Sequence, residues 1–149
     1  MYGMTYADFA NTALEAAVPP AHALGVRAAE VRFGFAAATA PIAGNGNHFG
    51  VMYAGVLFTV AEVLGGLIAI PAFDQAKFYP LVKDLKITYK RPALSDVRAE
   101  TCLPEESLRR IGAVAAEHGK CDFTLEATIT DAEGTVVAET VGLYQLRAR

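Results

Sequence analysis

The stretch HFGVMYAGVLFTVAEVLGGLIAIPAF, residues 48–73, decides the fold. From Phe49 to Phe73 its only charged residue is Glu62. A run of that length is long enough to cross a bilayer. Against that reading stand Gly50, Gly55, Gly65 and Gly66, Pro71, a carboxylate in mid-span, and no basic residue at either flank. A helix apolar on every side is then expected inside a soluble domain, with a curved sheet hiding its whole circumference. Glu62 becomes the anomaly. Burying a carboxylate without a partner costs several kcal/mol and raises its pKa. Either a neighbouring backbone group or hydroxyl such as Thr59 holds it structurally, or it performs chemistry.

Outward from this segment the pattern changes to alternation. Residues 26–38 read as one strand, with Val31, Phe33 and Phe35 on one face and an irregularity near Ala28 and Ala29. PIAGNGN, residues 41–47, is a turn. VKDLKITYK, 82–90, alternates around Leu85, Ile87 and Tyr89 and is ended by Pro92; DVRAETCL, 96–103, is a further strand. PEESLRRIGAVAAEHGK, 104–120, has acidic residues in its first turn, Leu108, Ile111, Ala115 and His118 on one face, and Gly119 as a stop, so it predicts a helix. CDFTLEATIT and TVVAETVGLYQLR are two strands joined by DAEG. At the other end Tyr6–Ala17 predicts a short helix stopped by Pro19 and Pro20. Strand follows strand without regular helical crossovers, so the class is α+β, with a largely antiparallel sheet in one domain spanning 1–149.

The bulk properties exclude several function classes. At 53% hydrophobic and 19% charged residues the chain is a folder. A net charge of -3 gives no general attraction to nucleic acid or to an anionic membrane, so no partner of either kind is expected. Cys102 and Cys121 form no C-x-x-C pair and read as reduced cysteines on core strands; His22, His48 and His118 lack metal-ligand spacing. The first twenty residues have no positive start and no continuous apolar run, which argues against a signal peptide and makes the cytoplasm the expected location.

Asn47-x-x-Gly50-x-x-Tyr53-Ala54-Gly55, six further residues and then Glu62 resembles the signature of the hotdog-fold thioesterases of the PaaI type, Asn-x-x-Gly-x-x-His-Gly-Gly, six residues, then Asp or Glu. The departures are Tyr53 for His and Ala54 for the first Gly. Asp84-x-x-Ile87-x-Tyr89-x-x-Pro92 and the ending Asp131-x-x-Gly134-x-x-Val137-Ala138 are similar to two further family patterns, with Val82 where some members carry Ser. The likeness covers most of residues 26–147; the helix near 104–118 is not typical. It implies a curved antiparallel sheet wrapped around a long buried central helix, and hydrolysis of an acyl thioester of coenzyme A or of an acyl carrier protein. No cofactor is implied, since coenzyme A enters as part of the substrate, and no metal.

The resemblance makes the Glu62 carboxylate either the nucleophile on the thioester carbonyl or the base that activates water. Asn47 would orient the water or the acyl group, although an Asn in GNGN serves equally as a turn residue. Ala54 and Gly55 stand where free amides at a helix start would hold the oxyanion. They precede Glu62 by about two turns, roughly 12 Å along one helix at ~1.5 Å per residue. If both act on one carbonyl they come from different subunits, which predicts a homodimer, or a dimer of dimers, with the site at its interface. His48, Phe49, Tyr53, Phe58 and Val82 are the expected acyl contacts. Lys90 and Arg91, with Lys83 and Lys86, are the expected cations for coenzyme A, or equally a solvated strand face. Two other readings compete. One is a hotdog domain that binds acyl-CoA without turnover. The other is a hydroxyacyl dehydratase of the FabZ type using His48 and Glu62, which are fourteen apart as in that family.

Overall fold

The computed structural model describes residues 3–149. Helix α1, Tyr6–Ala17, starts at a capping box in which the Thr5 hydroxyl accepts from the Asp8 N–H and the Asp8 carboxylate accepts from the Thr5 N–H. Pro19 and Pro20 end it and open the short α2, Pro19–Ala23, where a proline's missing N–H costs nothing. Then come β1 (Arg27–Arg32), β2 (Phe35–Ala40), α3 (Ala54–Glu62), α4 (Leu64–Ala72), β3 (Phe78–Tyr89), β4 (Val97–Cys102), α5 (Glu105–His118), β5 (Lys120–Thr130) and β6 (Val136–Ala148). The six strands form one antiparallel sheet in the order β1-β2-β4-β5-β6-β3. The class is α+β, as expected.

Three sequence expectations need correction, two of them in the strands. Residues 26–38 are not one strand but the first arm and part of the second arm of a hairpin, turning at Phe33–Gly34 with Gly34 at φ +83°. Phe33 and Phe35 keep the apparent alternation going across the turn, which hides it. The expected irregularity is present as a bulge between Ala28 and Glu30. Cys102 is exposed on β4, and only Cys121 is buried; both are free thiols.

The sheet curves around α3 and α4, whose Val56, Val60, Leu64 and Ile68 are fully buried. It does not hide the whole circumference. Ala54, Phe58, Glu62 and Gly66, four apart, form a stripe left half-buried or exposed, with Phe58 at 37%. The sheet, with α1 packed on its edge strand β1 and α5 on β5 and β6, leaves this stripe open.

Nor is the helix continuous. Tyr144 of β6 points inward and its hydroxyl donates to the Glu62 carbonyl at 3.1 Å. In a regular helix that carbonyl would take the Gly66 N–H, which instead donates to the Val63 carbonyl. A side chain inserted into the ladder interrupts its hydrogen bonds at this point, while Val63 keeps helical backbone angles. The Tyr144 ring reaches that position because Gly65 offers no Cβ: one added there would fall inside the ring. Behind it Gly142 is equally tight, with an added Cβ at 2.6 Å from the same ring.

The substitution Gly65→Ala tests this packing. In an unhindered helix it adds about 1 kcal/mol of stability. Here overpacking against Tyr144 should reverse the sign and lose about 1–3 kcal/mol, read as a lower urea midpoint. A raised midpoint would show that the ring has room to move.

Candidate active site

Glu62 ends α3 at the break that Tyr144 creates. Its carboxylate makes no hydrogen bond and no ion pair among the described residues. Thr59, the expected structural partner, donates its hydroxyl to the Gly55 carbonyl at 2.8 Å instead. Burial pushes the Glu62 carboxyl above its ordinary 4.5. Burial first, and then the Glu62 charge, push the Tyr144 phenol far up as well, so Tyr144 stays a neutral donor. Glu62 borders a cavity of about 410 Å³ between α1, α4 and β3, together with Val63, Gly66, Leu67 and Val82. An ionisable group without a partner on an apolar wall is the arrangement that favours a reactive carboxylate.

A second cluster forms at the start of α3. Tyr53 caps the helix with extended backbone, and the N–H groups of Ala54 and Gly55 find no acceptor among the described residues. The Tyr89 hydroxyl donates to the Ala54 carbonyl at 3.1 Å and fastens this first turn to the end of β3. Asn47 is committed to its loop through its side-chain oxygen, which accepts from the N–H of Phe49 at 2.9 Å and of Val51 at 3.3 Å. Its amide NH₂ is left to donate. Asn47, Ala54, Tyr89, Lys90 and Arg91 border one cavity of about 310 Å³.

The expected site residues therefore fall into two groups within one chain. Glu62 and Val82 share the first cavity; Asn47, Ala54, Lys90 and Arg91 share the second. His48, Phe49, Tyr53, Gly55 and Phe58 border neither. His48 lies against Phe49 with ring centroids 3.9 Å apart and the planes tilted by 41°; Phe49 is 76% exposed, and neither ring borders the cavity of Glu62. Of the expected cations, Lys83 pairs with Asp122 at 3.0 Å and Lys90 with Glu139 at 3.5 Å, whereas Lys86 and Arg91 have no ion pair among the described residues. No group of three or more His, Cys, Asp or Glu among the described residues could hold a metal ion.

Three roles were missed in the sequence. Tyr89 was visible as a strand residue and as a member of the Asp84–Pro92 family pattern, Tyr144 only as part of the last strand, and Asn45 as a turn residue. Asn45 is buried, and its amide donates to the carbonyls of Leu24 and Pro41. The one available signal was Gly142 two residues before Tyr144 in an otherwise bulky strand, because an interior strand glycine marks a close approach.

The chain matches the family described as Domain of unknown function (DUF4442) over residues 7–143. A Pseudomonas aeruginosa protein, described as of unknown function and a probable thioesterase, is 42% identical over 95% of both chains, with a TM-score of 0.88. A Chlorobaculum tepidum protein of unknown function shares 19% identity over 96% of this chain and 94% of its own, at a TM-score of 0.86. A Haemophilus influenzae thioesterase shares 16% over 99% and 93%, at 0.75; at that identity the likeness is one of fold. No curated protein matches the chain. With a family match over nearly its whole length and a sheet wrapped around a central helix as in these neighbours, the chain belongs to the DUF4442 family and to the hotdog-fold thioesterase superfamily.

Proposed function

We propose that this protein hydrolyses an acyl thioester, of coenzyme A or of an acyl carrier protein, at a site completed by two copies of the chain. The observation that carries the reading is Glu62, a carboxylate without a partner, raised in pKa, on the wall of an apolar cavity in a thioesterase fold. As a base, it takes a proton from water while the water oxygen attacks the thioester carbonyl. As a nucleophile, it forms an acyl–enzyme anhydride that water then opens. In either route the carbonyl oxygen becomes an oxyanion and the sulfur leaves as a thiolate. A proton released from the attacking water reaches that thiolate.

The free Ala54 and Gly55 amides suit the oxyanion, and the Asn47 NH₂ suits the acyl carbonyl or the water. Because Ala54 and Gly55 lie about two turns from Glu62, and Ala54 and Asn47 border a different cavity, they would serve the Glu62 of a second copy. The open stripe of α3 and the exposed Phe49 and Tyr53, at 76% and 58%, supply an apolar surface for that copy to cover. Lys90 and Arg91, beside Ala54, would then meet the phosphates of coenzyme A. The PaaI-type assignment, a homodimer or homotetramer and a cytoplasmic location belong to this same proposal.

Glu62→Gln should lower kcat by about 10²–10⁴-fold on the best substrate of an acyl-CoA panel scored by free-thiol release. Turnover surviving within a few-fold would make Glu62 structural.

The pKa shift gives a second expectation. A carboxyl whose folded pKa is raised prefers its proton in the folded state. It costs no stability below the ordinary 4.5, and its charge costs progressively more as pH rises from there through the folded value. Glu62→Gln should therefore gain stability over the parent as pH rises above 4.5, and show no such trend below it. In the parent, kcat/KM should fall as pH is lowered through the same raised value. Urea titrations and rates across pH check both, and a stability difference independent of pH would contradict the shift.

A further inference from the structure

We propose that α1 is the chain-length gauge of the acyl pocket, and that the pocket takes a linear acyl chain of medium length. This rests on the thioesterase reading above. The cavity at Glu62 runs along one side of the central helix, past Val63, Gly66 and Leu67 to Ile70. From Glu62 to Ile70 is about 12 Å at ~1.5 Å per residue. Of the sixteen residues around it only Glu62, Gln75 and Tyr144 carry polar side chains. A chain leaving a carbonyl at Glu62 therefore meets hydrocarbon.

The opposite wall is α1. Phe9, Ala13 and Ala17, four apart, lie along it on one face. A wall of about 12 Å and a volume of about 410 Å³ suit a chain of medium length. At the far end lie Phe9, Ile70 and Gln75. These three also border the next cavity, of about 640 Å³, which lies against Met4, Thr5, Tyr6 and Val31. Phe9 is thus part of a partition between two spaces, and the small Ala13 and Ala17 keep the first one open.

Gly66 supports the same assignment from the other wall. A glycine inside a helix costs about 1 kcal/mol against alanine. Gly65 beside it is explained by Tyr144, but a Cβ at Gly66 would meet nothing within 4 Å. No packing requires Gly66; it borders the cavity, where any side chain would take up room.

The two walls predict opposite shifts. Ala13→Phe should fill the near part of the cavity and displace about two methylenes. At about four-fold per methylene, the ratio of decanoyl-CoA to butyryl-CoA kcat/KM should fall about fifteen-fold. Phe9→Ala should join the two cavities and raise the ratio of palmitoyl-CoA to decanoyl-CoA kcat/KM. Circular dichroism and thermal midpoints establish that each variant is folded, and Ala17→Leu replaces Ala13→Phe if the latter is not. Chain-length profiles identical to the parent in folded variants would overturn the role of α1.

Should the parent hydrolyse no member of the panel, the thioesterase reading falls, and α1 is tested by calorimetric binding of acyl-CoA thioether analogues. Affinity that rises with chain length in the parent, and loses that rise in Ala13→Phe, supports the gauge. Affinity indifferent to chain length in the parent overturns it.

Discussion

The hydrogen bond from the Tyr144 hydroxyl to the Glu62 carbonyl is the constraint on which the rest of the site depends. It requires a ring inside the sheet, seated against two glycines, Gly65 on the helix and Gly142 on its own strand. It takes the Glu62 carbonyl out of the ladder of a nineteen-residue apolar helix, Ala54–Ala72, at the point where α3 gives way to α4. The break falls directly after the one charged residue of that helix. A carboxylate at such a point is fixed by its backbone and not by bonds to its own oxygens, which stay free for chemistry. The Glu62 charge in turn helps to hold the Tyr144 phenol protonated, so the hydroxyl keeps its proton for the bond to the Glu62 carbonyl.

Everything else in the fold decides what surrounds that carboxylate. The edge strand β3 gives Pro80, Leu81 and Val82 to one cavity through its first half, and Tyr89, with the following Lys90 and Arg91, to the other through its end. α1 closes the first cavity against the helix. The second cavity gathers hydrogen-bond donors at the start of α3, where the helix dipole also favours negative charge. In the proposed reading, with Glu62 as the acid–base group and the Ala54 and Gly55 amides two turns away on the same helix as the oxyanion donors, one chain holds half a site. The open stripe Ala54, Phe58, Glu62 and Gly66 is where a second half can approach.

Much of this was legible in the sequence because it rests on period and composition. The boundaries of α1 and α5 follow from Thr5, Pro19 and Gly119, residues whose backbone preferences are strong and local. The β5–β6 hairpin follows from DAEG, whose Asp131 accepts from Glu133 and Thr135 while Gly134 takes φ +82°. Glu62 stood out as a lone charge. What was hidden depends on contacts between residues far apart in the chain. The bond of Tyr144 to Glu62 spans 82 positions and that of Tyr89 to Ala54 spans 35, and no local pattern names the partner in either. The β1–β2 hairpin was hidden for a different reason, since aromatic residues on both sides of Gly34 imitate a continuous strand. The aromatics expected around the acyl group, Phe49, Tyr53 and Phe58, lie outside the cavity of their own chain, because sequence proximity to Glu62 along a helix is not proximity in the pocket.

The central claim is that the Ala54 amide and the Glu62 carboxylate act on one carbonyl from two chains. Mixing two inactive parents tests it most directly. Ala54→Pro removes the amide at the first helical position, where proline is tolerated. Tyr53 before it already has φ -58° and ψ 134°, the extended backbone that a residue preceding proline requires. Glu62→Gln removes the carboxylate. Co-refolded in equal amounts, the two should form mixed dimers with one doubly damaged and one intact site. Random pairing makes half the dimers mixed, so activity should return to about one quarter of the parent enzyme. If both variants fold and pair but mixing restores nothing, the amide and the carboxylate do not complete one another across two chains.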